Sequence, residues 1–259
     1  HFYKGAPLFN WIIYYPIEKI CARWTDCLIT ITNEDYEFAK KHLRTKKVEH
    51  INGVGMNSER LEKTLSEEEK NRVREKLKIK KEDIVFSYVA ELNKNKNQIL
   101  LIKTMQELKK ELPNIKLLLI GDGPLKEEYQ QYIENNNLEN EIKLLGKRKD
   151  INELLSITNI YLASSIREGL PVNVMEAMYK GLPIIATDNR GHRELVHNNE
   201  NGFIIKEKES LKEKIFLILE NENVENKFGI NNKKKAQKYL VDRVIEQEKI
   251  VYKGEKSSE

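Results

Sequence analysis

Two carboxylates stand eight positions apart in "REGLPVNVMEAMYKGLPIIATD": Glu168 ahead of a short apolar run and Glu176 inside it. Carboxylates in such places do one of three things. They could form the acid and nucleophile of a glycosidase, about 5 to 10 Å apart across an open cleft. They could accept hydroxyl hydrogens from a bound sugar or ribose. Or Glu176 could pair with a nearby arginine while Glu168 stands as a charge before a helix. The residues alone leave these readings open. Pro171 suits a helix's first turn and Gly181 its end, so a helix is expected between them. The free amides around Gly169, Leu170, Val172 and Asn173 then form a positive helix start, a seat for phosphate. Eight helical positions leave two side chains about 80° apart around the axis, so both carboxylates can face one crevice.

Other residues offer phosphate chemistry as well. Lys94 and Lys96 in "NKNKN" could meet a phosphate as point charges, unless the loop is only a solvated polar turn. "GDGP" at 121–124 is a Gly-rich turn, but Glu127 occupies the third glycine position of the dinucleotide fingerprint, so no NAD site is expected. There is no GxxxxGK[ST] motif and no Asp-x-Asp, and no His, Cys and Asp cluster has metal-ligand spacing. No metal and no cofactor are therefore expected. Any diphosphate would be neutralised by side chains and backbone amides.

These residues need a frame to hold them. "DIVFSYVAEL", "IKLLLIGDGP", "EIKLLGKRKD", "NIYLASS" and "LPIIATD" read as apolar strands, with a further strand at "NGFIIK". Helical stretches separate them, which predicts an α/β fold with a doubly wound, parallel, Rossmann-like sheet over 82–206. In such sheets ligands bind beyond the carboxyl ends of the strands, where strand order reverses. Glu91–Lys96, Gly121–Pro124, Gly146–Arg148, Ser164–Gly169 and Asp188–Gly191 all follow strands. Upstream, residues 8–24 have helical spacing interrupted at Pro16. "DCLITIT" and "KVEHINGVGMN" hold short strands, and a helix is expected from a cap at Asn33. Ser66 and Glu69 form a capping-box pattern, and the residues after 206 read as helices.

The bulk properties narrow the partners. A net charge of +4, spread over many Lys, Glu and Asn, is too weak a bias for nucleic acid. It suits an anionic small ligand or light contact with an acidic membrane surface. No stretch reaches the roughly 18 apolar residues of a membrane span. Cys21 and Cys27 are expected to be buried thiols in a reducing compartment. The start at "HFYKGAPLF" predicts a fragment or trimmed chain.

"REGLPVNVMEAMYKGLPIIATDNRGHRELVHNNENGFII" closely resembles the donor-binding signature of GT-B glycosyltransferases of family 4, with their E-x7-E motif on Glu168 and Glu176. "VAELNKNKNQ", "LLIGDGP" and "LLGKRKDINELLSITNIYLASS" resemble that family's strand ends, and "HINGVGMN" its interdomain linker. The resemblance runs from about residue 47 to the end. It implies that 1–57 are the last part of the acceptor-side N-terminal domain and linker, 58–238 the donor-binding domain, and 239–259 a crossover helix. In the roles it implies, Lys96 neutralises the donor diphosphate, with Lys94 as the alternative. Gly169 and Leu170 hold the distal phosphate, Glu168 the sugar and Glu176 the ribose, and Gly146, Lys147 and Arg148 cradle the base. The implied reaction is metal-independent, retaining transfer from a nucleotide diphosphate sugar, UDP-linked by expectation. The acceptor would be a glycan or lipid-linked molecule in bacterial capsule or exopolysaccharide assembly.

Two departures qualify the resemblance. Ala90-Glu91-Leu92 stands where the family often has Gly-Arg-Leu. Glu91 should therefore point away, with Arg167, Arg148 or Lys94 supplying charge. The resemblance also leads one to expect that most of an N-terminal domain is missing, so that apolar surface on 8–24 and around Tyr239–Tyr252 gives homo-oligomerisation or poor solubility. The expected location is cytoplasmic, with peripheral contact at the inner face of the membrane. A nucleotide-sugar binding module without catalysis of its own is the alternative function. A sugar-nucleotide epimerase fits the spacing less well.

Overall fold

The computed structural model describes residues 8–206 and 211–253. The chain divides into two compact units. One takes the residues up to Gly55 with those from Asp242 onward, and the other is Met56–Val241.

The smaller unit begins with α1 (Leu8–Cys21), which continues through Pro16. β1 (Cys27–Thr30) and β2 (Lys47–His50) pair in parallel, with α2 (Asn33–His42) between them in sequence. The cap of α2 is Thr32, whose hydroxyl accepts from the Asp35 amide at 3.2 Å. Asn33, the expected cap, is the first helical residue instead. The α1 helix buries none of its residues and leaves Leu8, Phe9, Ile12, Ile17 and Ile20 exposed, as the apolar reading of 8–24 anticipates. That also corrects the expectation for the cysteines. Cys21, at the exposed end of this helix, is exposed, and Cys27 on β1 is half-buried.

The larger unit is the α/β sheet. After α3 (Glu67–Lys76), opened by the Ser66–Glu69 capping box, strands and helices alternate. They are β3 (Ile84–Val89), α4 (Gln98–Leu108), β4 (Ile115–Ile120), α5 (Lys126–Asn135), β5 (Ile142–Gly146), α6 (Ile151–Ser156) and β6 (Ile160–Ala163). Then follow α7 (Val172–Tyr179), β7 (Ile184–Thr187), α8 (Arg190–Leu195), β8 (Gly202–Ile205), α9 (Leu211–Leu219) and α10 (Glu222–Ala236). The last helix, α11 (Val241–Lys253), lies almost wholly in the smaller unit, where Gln247 Oε1 accepts from the Asn52 amide at 3.0 Å. The six strands β3–β8 are all parallel, in the order β5-β4-β3-β6-β7-β8. Every residue of β6 and β8 is buried, which requires cover on both faces. The order reverses between β3 and β6, so the switch point lies beyond Val89 and Ala163.

One helix escapes the sequence pattern. α8 has six residues, contains Gly191 and shows no apolar period, so the sequence pattern does not single it out. It forms because the Asn189 side chain caps it, accepting from the His192 amide at 3.0 Å.

Candidate functional site

Two loops meet across the switch point. The loop after β3 is shaped by its asparagines: Asn93 Oδ1 accepts from the Lys96 amide at 2.9 Å, and Asn97 takes a left-handed conformation before α4. The loop after β6 is bonded to it. The Ile166 amide donates to Asn95 O at 2.8 Å, Asn95 Nδ2 to Arg167 O at 3.0 Å, and Ser164 Oγ to Lys96 O at 2.7 Å. "NKNKN" is therefore an ordered wall of the switch point and not a loose polar turn.

This scaffold brings Lys96 and Glu168 together. Lys96 Nζ lies 2.5 Å from Glu168 Oε1, with the two side chains 23% and 12% exposed. Ser165 Oγ lies 2.6 Å from the same oxygen. Glu168 Oε2 has no hydrogen-bonding partner among the described residues, and neither do the amides of Gly169 and Leu170. Pro171, buried and extended, forms the N-cap, so α7 begins at Val172. The site thus holds one ammonium in contact with a half-free carboxylate, followed in sequence by two open amides. That combination can neutralise a phosphate and accept a hydroxyl hydrogen.

Glu176 lies on α7 and is 3% exposed. Its Oε1 accepts from Arg60 Nη2, in the turn Glu59–Leu61, so the arginine pairing weighed from the sequence is present. Among the described residues Glu176 Oε2 has no hydrogen-bonding partner. Lys94 is exposed and takes no part in the Lys96–Glu168 cluster.

A second group of residues borders an open cavity of about 780 Å³ at the carboxyl ends of β3, β4 and β5. Glu91, Asp122, Lys147 and Arg148 are among its lining residues; Gly146, Lys96, Glu168 and Glu176 are not. Glu91 borders this cavity with its carboxylate held by Asn93 Nδ2 at 2.8 Å, while Arg148 makes two bonds to Asp150, at 2.8 and 2.5 Å. The glycines of "GDGP" serve packing. A Cβ on Gly123 would stand 2.5 Å from Leu92 O, so the turn after β4 can lie against the loop after β3 only without side chains.

Beneath the Lys96–Glu168 pair lie buried groups that the motifs did not single out. Ser165 O accepts from Thr187 Oγ1 at 2.5 Å and from Asn189 Nδ2 at 2.8 Å. His192 Nδ1 lies 2.7 Å from Thr187 O, which can only accept, and 2.9 Å from Asn189 Nδ2; the shorter contact to the carbonyl assigns the proton to Nδ1. Its Nε2 is buried with no partner among the described residues. Burial pushes this imidazole down to about 4, against the opposing pull of the Thr187 hydrogen bond and of Glu168. The signal for these residues was the polar Ser164, Ser165, Thr187 and Asn189 at the ends of apolar strands. His192 gave none, because α8 was not recognised.

Among the described residues, no group of three or more His, Cys, Asp and Glu side chains could hold a metal ion, and no helix is long and apolar enough to cross a membrane.

The fold and sequence have clear counterparts. EpsD of Bacillus subtilis, itself named only as a glycosyltransferase, is 40% identical over 255 residues, which is 97% of this chain and 67% of that protein. An Escherichia coli UDP-Gal:alpha-D-GlcNAc-diphosphoundecaprenol alpha-1,3-galactosyltransferase is 31% identical over 201 residues, 75% of this chain and 51% of that enzyme. The chain thus spans about two thirds of the first relative and about half of the second. The crystal structure of Anabaena Alr3699/HepE in complex with UDP-glucose superposes with a TM-score of 0.80 at 22% identity, covering 97% of this chain and 69% of that one. This likeness shows the GT-B type of fold. The family model described as glycosyl transferases group 1 matches residues 69–235, and the chain belongs to that family.

Proposed function

We propose that the larger unit binds the donor of a retaining, metal-independent transfer from a UDP-sugar to a glycan or lipid-linked acceptor in surface polysaccharide assembly. The observation that carries this reading is the Lys96–Glu168 pair beside the Gly169 and Leu170 amides, unbonded among the described residues, at the switch point of a group 1 glycosyltransferase fold. On this reading the donor's diphosphate draws on Lys96 and those amides. Glu168 and Glu176 each offer Oε2, to the transferred sugar and the ribose respectively, and Gly146, Lys147 and Arg148 frame the base. The main catalytic contribution is stabilisation of charge building on the leaving diphosphate, where positive groups already stand fixed. The choice of uridine is supported by the names of the Escherichia coli enzyme and of the Anabaena complex. Residues up to about 57 are assigned to the acceptor side.

Calorimetric titration with UDP, GDP and UDP-glucose tests the reading. UDP is expected to bind more tightly than GDP, and Lys96→Ala to weaken it by about tenfold or more. Lys94→Ala should leave it within a factor of two. Absence of binding by all three ligands refutes the donor site. A second reading is a nucleotide-sugar binding module without transfer of its own. Binding without turnover over a panel of acceptors would select it.

A further inference from the structure

We infer that Tyr88 and Ser165 are positioning residues, which hold Glu168 by a one-way chain of hydrogen bonds and so fix the direction of its single free oxygen. The inference rests on the reading of Glu168 as the residue facing the donor sugar.

Tyr88 OH lies 2.6 Å from Ser165 Oγ, and Ser165 Oγ lies 2.6 Å from Glu168 Oε1. Each hydroxyl has one hydrogen. The carboxylate can only accept, so Ser165 must give it the serine hydrogen. Tyr88 must then donate to Ser165, because the serine has no hydrogen left to return. Burial pushes the Tyr88 phenol well above its usual value, which keeps that hydrogen in place. The direction of the chain is therefore fixed: Tyr88 to Ser165 to Glu168.

The chain is anchored at both ends and in the middle. Tyr88 and Ser165 are 1% and 0% exposed, in β3 and just past β6, on either side of the switch point. The carbonyl of Ser165 takes two donors, Thr187 Oγ1 and Asn189 Nδ2, which leave the residue little freedom. Lys96 holds the same Glu168 oxygen at 2.5 Å. With Oε1 committed to two donors, Glu168 meets a ligand through Oε2 alone and from one orientation. A carboxylate so held discriminates between sugars by where their hydroxyls stand, because a misplaced hydroxyl cannot be followed by rotation of the side chain. Tyr88 touches no ligand. It acts through Ser165.

The test compares the full chain with Tyr88→Phe, Ser165→Ala, the double variant and Glu168→Gln. Calorimetry measures Kd for UDP and for UDP-glucose, and the ratio of the two isolates the sugar's contribution. Tyr88→Phe and Ser165→Ala are each expected to lower that ratio by about five- to tenfold while UDP binding stays within twofold. The double variant should be no worse than Ser165→Ala, since Tyr88 has no other route to Glu168. Glu168→Gln should lower the ratio as well. If Glu168→Gln lowers it but Tyr88→Phe and Ser165→Ala do not, the positioning role is overturned while the sugar site stands. Equal weakening of UDP and UDP-glucose by Tyr88→Phe or Ser165→Ala overturns it too, as a general loss of structure. A Glu168→Gln variant with an unchanged ratio refutes the underlying sugar reading instead. Should Tyr88→Phe fail to fold, Ser165→Ala alone carries the comparison.

Discussion

His192 should make the donor-binding unit acid-sensitive, by an amount that follows from its surroundings. The imidazole is 1% exposed, Nδ1–H is spent on Thr187 O, and Nε2 faces no acceptor. Protonation would place a charged N–H in that pocket with nothing to receive it. Desolvation accordingly carries its pKa from 6.5 to about 4. The folded value lies below the unfolded one, so the stabilising effect is complete above pH 6.5 and is lost as pH falls toward 4. At about 1.4 kcal/mol per pH unit the whole gap is worth about 3 kcal/mol. Of that, about 2 kcal/mol falls between pH 7.5 and 5. The charged groups that bear on it are Glu168 and Asp188, which favour the proton, and Lys96, which opposes it. Urea unfolding of the chain and of His192→Gln at pH 7.5, 6 and 5 measures the effect, since glutamine cannot titrate. The native chain should lose about 2 kcal/mol more than the variant over that range. Because Thr187 also holds Ser165, UDP-glucose affinity of the folded chain should hold down to pH 5 and weaken only as His192 itself takes up the proton, near pH 4. Parallel loss of stability in the two proteins would refute the assignment.

Three substitutions test other contacts. Arg60→Ala leaves Glu176, 3% exposed, without its partner and should cost about 2 kcal/mol in urea unfolding. Arg60→Ala combined with Glu176→Gln should recover part of that loss, because the unpaired charge is gone. Gly191→Ala would put a Cβ 2.4 Å from Gly169 O and 2.9 Å from Glu168 Cβ. The loop carrying the open amides must then move, so UDP affinity is expected to fall by about tenfold or more with little change in far-UV circular dichroism. Asn95→Ala removes the bond from Nδ2 to Arg167 O, one of the links between the two switch-point loops, and should raise local hydrogen exchange at 164–168.

The parallel sheet was legible because its strands are buried on both faces and so read as unbroken apolar runs between helices. The ends of those strands were legible for the same reason: polar and Gly-rich residues begin where burial stops. Lys96 and Glu168 were within reach of such reading, since each follows a strand at the switch point. Their contact was not, because it joins loops 72 positions apart and depends on the asparagine turn that aims Lys96. Arg60 lay further out of sight. It reaches Glu176 from a three-residue turn with no periodicity, across 116 positions. The exposure of Cys21 was misjudged because the cover of α1 ends early: Trp11 and Tyr15 pack against Phe38, and every residue from Pro16 to Cys21 is exposed.

The two glutamates of the opening stretch differ in how the fold treats them. Glu176 sits inside a helix, where backbone geometry already fixes its Cα, and a single arginine is enough to occupy one oxygen. Glu168 stands in a loop, where nothing local would hold a carboxylate still. Its constraint comes from three separate strand ends: Lys96 after β3, Ser165 after β6, and Thr187 at the end of β7, acting through the Ser165 carbonyl. A loop residue supported in this way has nearly the precision of a residue on a helix or strand, yet its free oxygen remains beyond the sheet, where a ligand can reach it. The switch point makes this arrangement available, because only there do the loops of β3 and β6 diverge from adjacent strands and leave a crevice between buried supports. The support is therefore as much a part of the site as the carboxylate, and substitutions at Ser165 or Thr187 should affect recognition of the sugar before they affect the fold.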